Sequence, residues 1–155
     1  MAFRVYLSHS VAPHELGAVY GIAELAARKG MEPIVLDRHW APNAPPARVL
    51  QALQGLGAFV AIATTSGTKV EWVNTELAEA ARSGLNQEAI ISVVDASVTP
   101  PTIGKVLKID RGSLPITIAK TLTILEQLQL ERSQKNLLAG LLLGGLAALL
   151  LASKD

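Results

Sequence analysis

Residues 58–63, Ala58-Phe59-Val60-Ala61-Ile62-Ala63, run without a polar side chain. A strand that is apolar on both faces belongs in the middle of a parallel sheet covered by helices on both sides. A strand with one wet face alternates instead. The run passes into a short polar loop, Thr64-Thr65-Ser66-Gly67-Thr68-Lys69, and then into helical spacing over residues 70–82, ended by Gly84. Strand, short loop and helix in that order make one unit of an α/β sheet.

The same alternation extends outward in both directions. Residues 4–8 are β-rich and read as a first strand. Residues 13–29 have helical spacing, with Leu16, Val19, Tyr20, Ala23 and Ala27 as the expected apolar face and Gly30 closing the helix. Residues 33–36 read as a second strand, and residues 37–46, with Pro42, Pro45 and Pro46, as a loop. That loop is long for an α/β connection, and long loops in such folds often carry function. Residues 47–54 form a short helix with Val49, Leu50 and Leu53 facing in. Beyond Gly84, residues 89–94 read as a fourth strand, 95–104 as a loop with Pro100 and Pro101, and 105–109 as a weak edge strand. Residues 114–135 read as a long helix with Ile118, Leu122, Leu125 and Leu128 on one side. Strands alternating with helices give parallel units with right-handed crossovers. The expected fold is a flavodoxin-like, three-layer α/β sandwich on a five-stranded parallel sheet, filling residues 1–130.

Composition narrows the function. The chain of 155 residues has a net charge of +1, so no global field draws it to nucleic acid, and its Lys and Arg residues form no basic stripe. It has no cysteine, which excludes disulfides, thiolate catalysis and Cys-based zinc sites. His14, His39 and the carboxylates show no metal-ligand spacing, so no metal is expected. The N-terminus lacks the basic and apolar regions of a signal peptide.

Residues 131–155 differ from the rest. Residues 137–152 carry no charge and are almost all Leu, Ala and Gly, preceded by Arg132 and Lys135. As a helix this stretch rises about 24 Å, short of the roughly 30 Å hydrocarbon core of a bilayer. Asn136 and Ser153, or local thinning of the bilayer, would close the gap. Gly140, Gly144, Ala148 and Ala152 line one face at a spacing of four, which lets membrane helices pack closely. The segment is expected to anchor the chain in a membrane as a single pass, ahead of a buried or self-associating soluble helix. Arg132 and Lys135 would then keep the N-terminal domain cytoplasmic.

Ligands in open α/β sheets bind beyond the carboxyl ends of the strands. Here those ends are residues 8–10, 37–40, 64–67 and Asp95. Trp72 and Glu76 open the helix leaving the third, one turn apart on the same face. Glu76 could stabilise positive charge developing on a ribose or polarise a hydroxyl, and Trp72 could stack on an adenine or nicotinamide ring. The plainer alternatives are a solvated helix glutamate and an indole covering the sheet edge. His9 could meet a substrate hydroxyl or phosphate, or simply bond to loop backbone. The hydroxyl-rich loop at 64–68 looks like a phosphate cradle, but in flavodoxins such a loop follows the first strand, so flavin is discounted. A phospho-receiver needs an aspartate after the third strand, where this chain has Ala63-Thr64. A serine hydrolase needs Gly-x-Ser-x-Gly, which is missing.

With these pieces placed, the chain resembles the TIR domain family over residues 3–130. Phe3-Arg4-Val5-Tyr6-Leu7-Ser8-His9-Ser10 is similar to that family's first strand, residues 37–46 occupy the place of its BB loop, and residues 66–77 are similar to its third-strand exit and following helix. Enzymatic members cleave the glycosidic bond of NAD, releasing nicotinamide and ADP-ribose or cyclised forms. The resemblance implies Glu76 as the catalytic residue and Ser8, His9, Ser10, Arg38, Trp40, Ser66 and Trp72 around the substrate. NAD is then a substrate, and no cofactor is implied. It also implies homo-oligomers formed through the domain's surfaces, here aided by the Gly140, Gly144, Ala148 and Ala152 face, as in a membrane-anchored bacterial immune effector. The chain departs from the pattern at Arg4, where an Asp is usual, at Glu15, the nearest match to an early helix acid, and in its proline-rich loop. A non-catalytic TIR scaffold and a nucleoside deoxyribosyltransferase-like enzyme are the alternatives.

Overall fold

A computed structural model of the chain describes residues 2–101 and 104–152, with side chains to residue 141. Five strands, β1 (Phe3–Ser10), β2 (Met31–Ile34), β3 (Ala58–Ala63), β4 (Ile90–Val94) and β5 (Lys105–Lys108), form one sheet in the order β2-β1-β3-β4-β5. All pairings are parallel. That order is the one found in flavodoxin-like doubly wound sheets, with the switch point between β1 and β3. The helices are α1 (Leu16–Arg28), α2 (Ala47–Ala52), α3 (Val70–Arg82) and α4 (Leu114–Ala152).

The apolar run of β3 sits at the sheet's centre and is buried throughout. Its alternate residues feed two cores. Val60 and Ile62 join Val5, Leu7, Val19, Ile22, Leu122 and Leu125 on the face of α1 and α4. Phe59 and Ala61 join Tyr6, Val49, Leu53 and Val73 on the face of α2 and α3. Tyr6 and Phe59 stack, with ring centroids 5.5 Å apart. Truncating a residue as buried as Leu125 to Ala costs about 2–5 kcal/mol in such a core.

Several expectations shift. β2 lies at Met31–Ile34, two residues earlier than 33–36, because Pro33 is accommodated on an edge strand opposite Val5. Residues 13–15 form a 3₁₀ turn, and α1 proper begins at Leu16. The buried residues of α1 are Val19, Ile22 and Ala26, whereas Tyr20 and Ala27 point to solvent. An apolar stripe read at Tyr20 and Ala27 is thus rotated from the true one. Gly30 and Gly84 take positive φ at the ends of α1 and α3, as helix-closing glycines do.

The last helix does not stop at residue 135. α4 runs unbroken for 39 residues, about 58 Å, across the 130/131 boundary. Its buried positions end at Leu128, and Leu137, Leu138 and Leu141 are exposed. Among the described residues no helix is long and apolar enough to cross a membrane. The side chains of residues 142–152 lie outside the described residues, and with them Gly144, Ala148 and Ala152 of the small-residue face.

Candidate active site at the carboxyl edge of the sheet

Glu76 is the one acidic residue on the buried side of α3, in line with Val73 and Ala80. Its helix packs on β1, so the carboxylate meets the side chains that alternate along that strand. Ser8 Oγ donates to Glu76 Oε1 at 2.9 Å, and the Tyr6 hydroxyl donates to Oε2. Burial, then the negative charge and hydrogen bond of Glu76, push the Tyr6 phenol well above its ordinary range, so it stays a donor.

The loop after β2 supplies the third partner. Arg38 donates to Glu76 Oε1 from Nε at 3.1 Å and from Nη2 at 2.5 Å. It also donates to Ser8 Oγ at 3.0 Å and to the His9 carbonyl. The ion pair is almost closed to solvent, with side-chain exposures of 6% for Arg38 and 2% for Glu76.

The rest of the loop is tied to α3. Trp72 Nε1 donates to the Trp40 carbonyl at 2.8 Å, and Thr75 Oγ1 donates to the Pro42 carbonyl at 2.5 Å. Trp40 packs beside Ile34 and Leu36 against the α2–α3 core. Its own indole N–H is buried with no acceptor among the described residues. An unmet buried donor costs about 1–3 kcal/mol, so the closed loop is held against a penalty. Trp72 offers its ring to Lys69, whose Nζ lies 4.3 Å from the ring centroid.

Strand parity separates the residues expected together. Ser8 and Ser10 share the Tyr6 face with Glu76, while His9 falls on the Leu7 face. Only the backbone carbonyl of His9 joins the Arg38 cluster. Burial, with the Arg38 charge second, lowers the His9 pKa from 6.5 to about 4, so its ring is neutral at pH 7. Ser10 organises the next loop: its Oγ accepts from Lys69 N at 2.9 Å, and its carbonyl accepts from Thr64 N at 3.0 Å. Ser66 in that loop is exposed and makes none of the contacts to Glu76.

A second polar cluster stands on the same rim. Arg111 grips Asp95 with Nε at 2.7 Å and Nη2 at 2.6 Å, and reaches Glu15 at 2.9 Å. Thr65 N donates to Asp95 at 2.8 Å, and Thr64 Oγ1 to Glu15 at 2.7 Å. The Arg111 bond, against burial, holds Asp95 below the usual carboxylate range. Burial alone would raise Glu15, but bonds from Thr64, the Ala12 N–H and Arg111 outweigh it and lower its pKa. A cavity of about 430 Å³ borders this cluster, lined by Thr65, Asp95, Ser97, Asp110 and Arg111 among others. Another, of about 260 Å³, opens near Phe3, Leu56, Leu128 and Arg132, at the opposite edge of the sheet from Glu76. Among the described residues no group of three or more His, Asp or Glu side chains is placed to hold a metal.

The sequence reading missed Tyr6, Thr75 and Arg111. Tyr6 had a signal: it lies two residues before Ser8, hence on the same face of β1. Arg111 had none, because its partners are distant in sequence. No protein-family model matches the chain, and no curated protein matches it.

His9 has a measurable consequence. Its folded pKa lies below its unfolded one, so between about pH 6.5 and 4 the unfolded chain takes up a proton that the folded chain refuses. The contribution is fully present above pH 6.5 and falls away as the pH drops toward 4. Urea midpoints at pH 7.5 and pH 5 should therefore differ less for His9→Asn than for wild type. Equal pH dependence in the two proteins would show that the ring does not titrate as described.

Proposed function

We propose that the chain is a TIR-type domain that cleaves the nicotinamide–ribose bond of NAD, with Glu76 as the catalytic carboxylate. The observation that carries this reading is a buried carboxylate on the helix after the central strand, set against the β1 exit and under the loop that follows β2. Breaking the glycosidic bond leaves its electrons with nicotinamide and builds positive charge on the ribose. A fixed carboxylate beside that ring lowers the barrier, an effect worth about 10²–10³ in rate for one well-placed group. The ribose carbon then takes a water oxygen, giving ADP-ribose, or a nucleophile of the same molecule, giving a cyclic product, and in either case one proton is released to solvent. Ser8 and Tyr6 orient Glu76, and Arg38 caps it from the loop after β2.

A non-catalytic scaffold is the second reading. It is favoured by one fact, that the Glu76 carboxylate is already occupied by Tyr6, Ser8 and Arg38 in the closed arrangement. The exposed Leu137, Leu138 and Leu141 support a role for α4 in a membrane or between copies, because isolated helices rarely leave such residues in water. Separate incubation with NAD, nicotinamide mononucleotide and deoxynucleosides distinguishes the enzyme classes. Nicotinamide release from NAD is expected. Base exchange among deoxynucleosides alone would favour a deoxyribosyltransferase, and no turnover of any would favour the scaffold.

A further inference from the structure

We propose that Arg38 is a charge-exchange latch that takes the diphosphate of a dinucleotide substrate and, in doing so, uncovers Glu76. This rests on the reading of Glu76 as the catalytic carboxylate. In the closed loop all four of the guanidinium's hydrogen bonds go to Glu76, Ser8 and the His9 carbonyl. A carboxylate paired in this way has its charge neutralised. A ribose gaining positive charge beside it would also face the guanidinium, so the closed form is inactive toward the glycosidic bond.

Two features make exchange with a phosphate the natural release. A guanidinium's planar fork fits carboxylate and phosphate oxygens alike, so Arg38 can leave Glu76 without losing its hydrogen bonds. Its loop is also lightly fastened. Besides the Arg38–Glu76 pair itself and the packing of Trp40, the fastenings to α3 are the single bonds at the Trp40 and Pro42 carbonyls, and lifting the loop returns the orphaned Trp40 N–H to water. The latch therefore sets specificity by charge. A nicotinamide nucleoside without phosphate has the same scissile bond but nothing to draw Arg38 away.

The chain's two tryptophans, Trp40 and Trp72, touch across the loop–helix contact, so indole emission reports its opening. The full chain is titrated with ADP and, separately, with adenosine. ADP is expected to shift the emission saturably and adenosine to leave it unchanged, with adenosine also controlling for base stacking. No shift with ADP, or equal shifts with both, overturns the latch. In Arg38→Gln the apparent ADP affinity should fall at least tenfold, and an unchanged affinity overturns the proposal. The wild-type comparison stands even if that variant fails to fold. NAD cleavage with no ADP response removes the latch and leaves the catalytic reading. An ADP-specific response without NAD cleavage keeps the diphosphate site and removes the catalytic role.

Discussion

Glu76→Ala should lower the stability of the domain by roughly 3–5 kcal/mol, the usual cost of removing one partner from a buried ion pair. The loss comes less from the missing carboxylate than from what remains. Arg38 stays nearly sealed from solvent with no counter-charge, and the Tyr6 and Ser8 hydroxyls lose their acceptor. Replacing both members of the pair, as Arg38→Met with Glu76→Leu, should cost far less than the sum of the single changes, because the uncompensated charge disappears. Urea midpoints of wild type, Arg38→Met, Glu76→Leu and the double variant close this cycle. A single-variant loss below about 1 kcal/mol would mean that the pair behaves as a surface salt bridge and that the loop is open in solution.

Gly67→Ala should be nearly as damaging, at about 3 kcal/mol or more, for a steric reason. A Cβ on Gly67 would stand 1.8 Å from the Ser10 carbonyl oxygen and 2.6 Å from its Oγ. The clash is with backbone, so no side chain can turn aside. Relief requires the loop at 64–69 to move off the end of β1, which breaks the Thr64 and Lys69 bonds to Ser10. Gly140→Ala, where nothing lies within 4 Å, is the matching control and should be neutral or slightly stabilising. Thermal unfolding of the two variants should separate them by many degrees. A Gly67→Ala melt equal to wild type would contradict the observed packing of that loop.

These positions differ in how visible they were beforehand. The fold was legible from β3, whose wholly apolar run demands helices on both faces, and from the glycines at 30 and 84 that close their helices. In the sequence Glu76 stands out by its spacing from Trp72, and its burial in line with Val73 and Ala80 is a fact of the fold. The face of α1 is not legible, because Ile22 and Ala26, not Tyr20 and Ala27, turn inward. Apolar residues surround that helix, so period alone does not fix its rotation. Adjacency alone groups His9 with Ser8 and Ser10, but a strand sends neighbours to opposite faces. The resemblance places Arg38 near the substrate, but its pairing with Glu76 is a tertiary fact. The partners are 38 residues apart, and the prolines around the loop restrict its path without choosing its docking site.

The most direct test of the account is NAD consumption by the full-length chain, reconstituted at high density on vesicles, beside Glu76→Gln. Glutamine keeps the shape of the side chain and removes its charge. Steady loss of NAD with release of nicotinamide is expected from the wild type, and at least a hundredfold slower loss from the variant. Equal loss in both, or none from a wild-type preparation shown to be assembled, would contradict it.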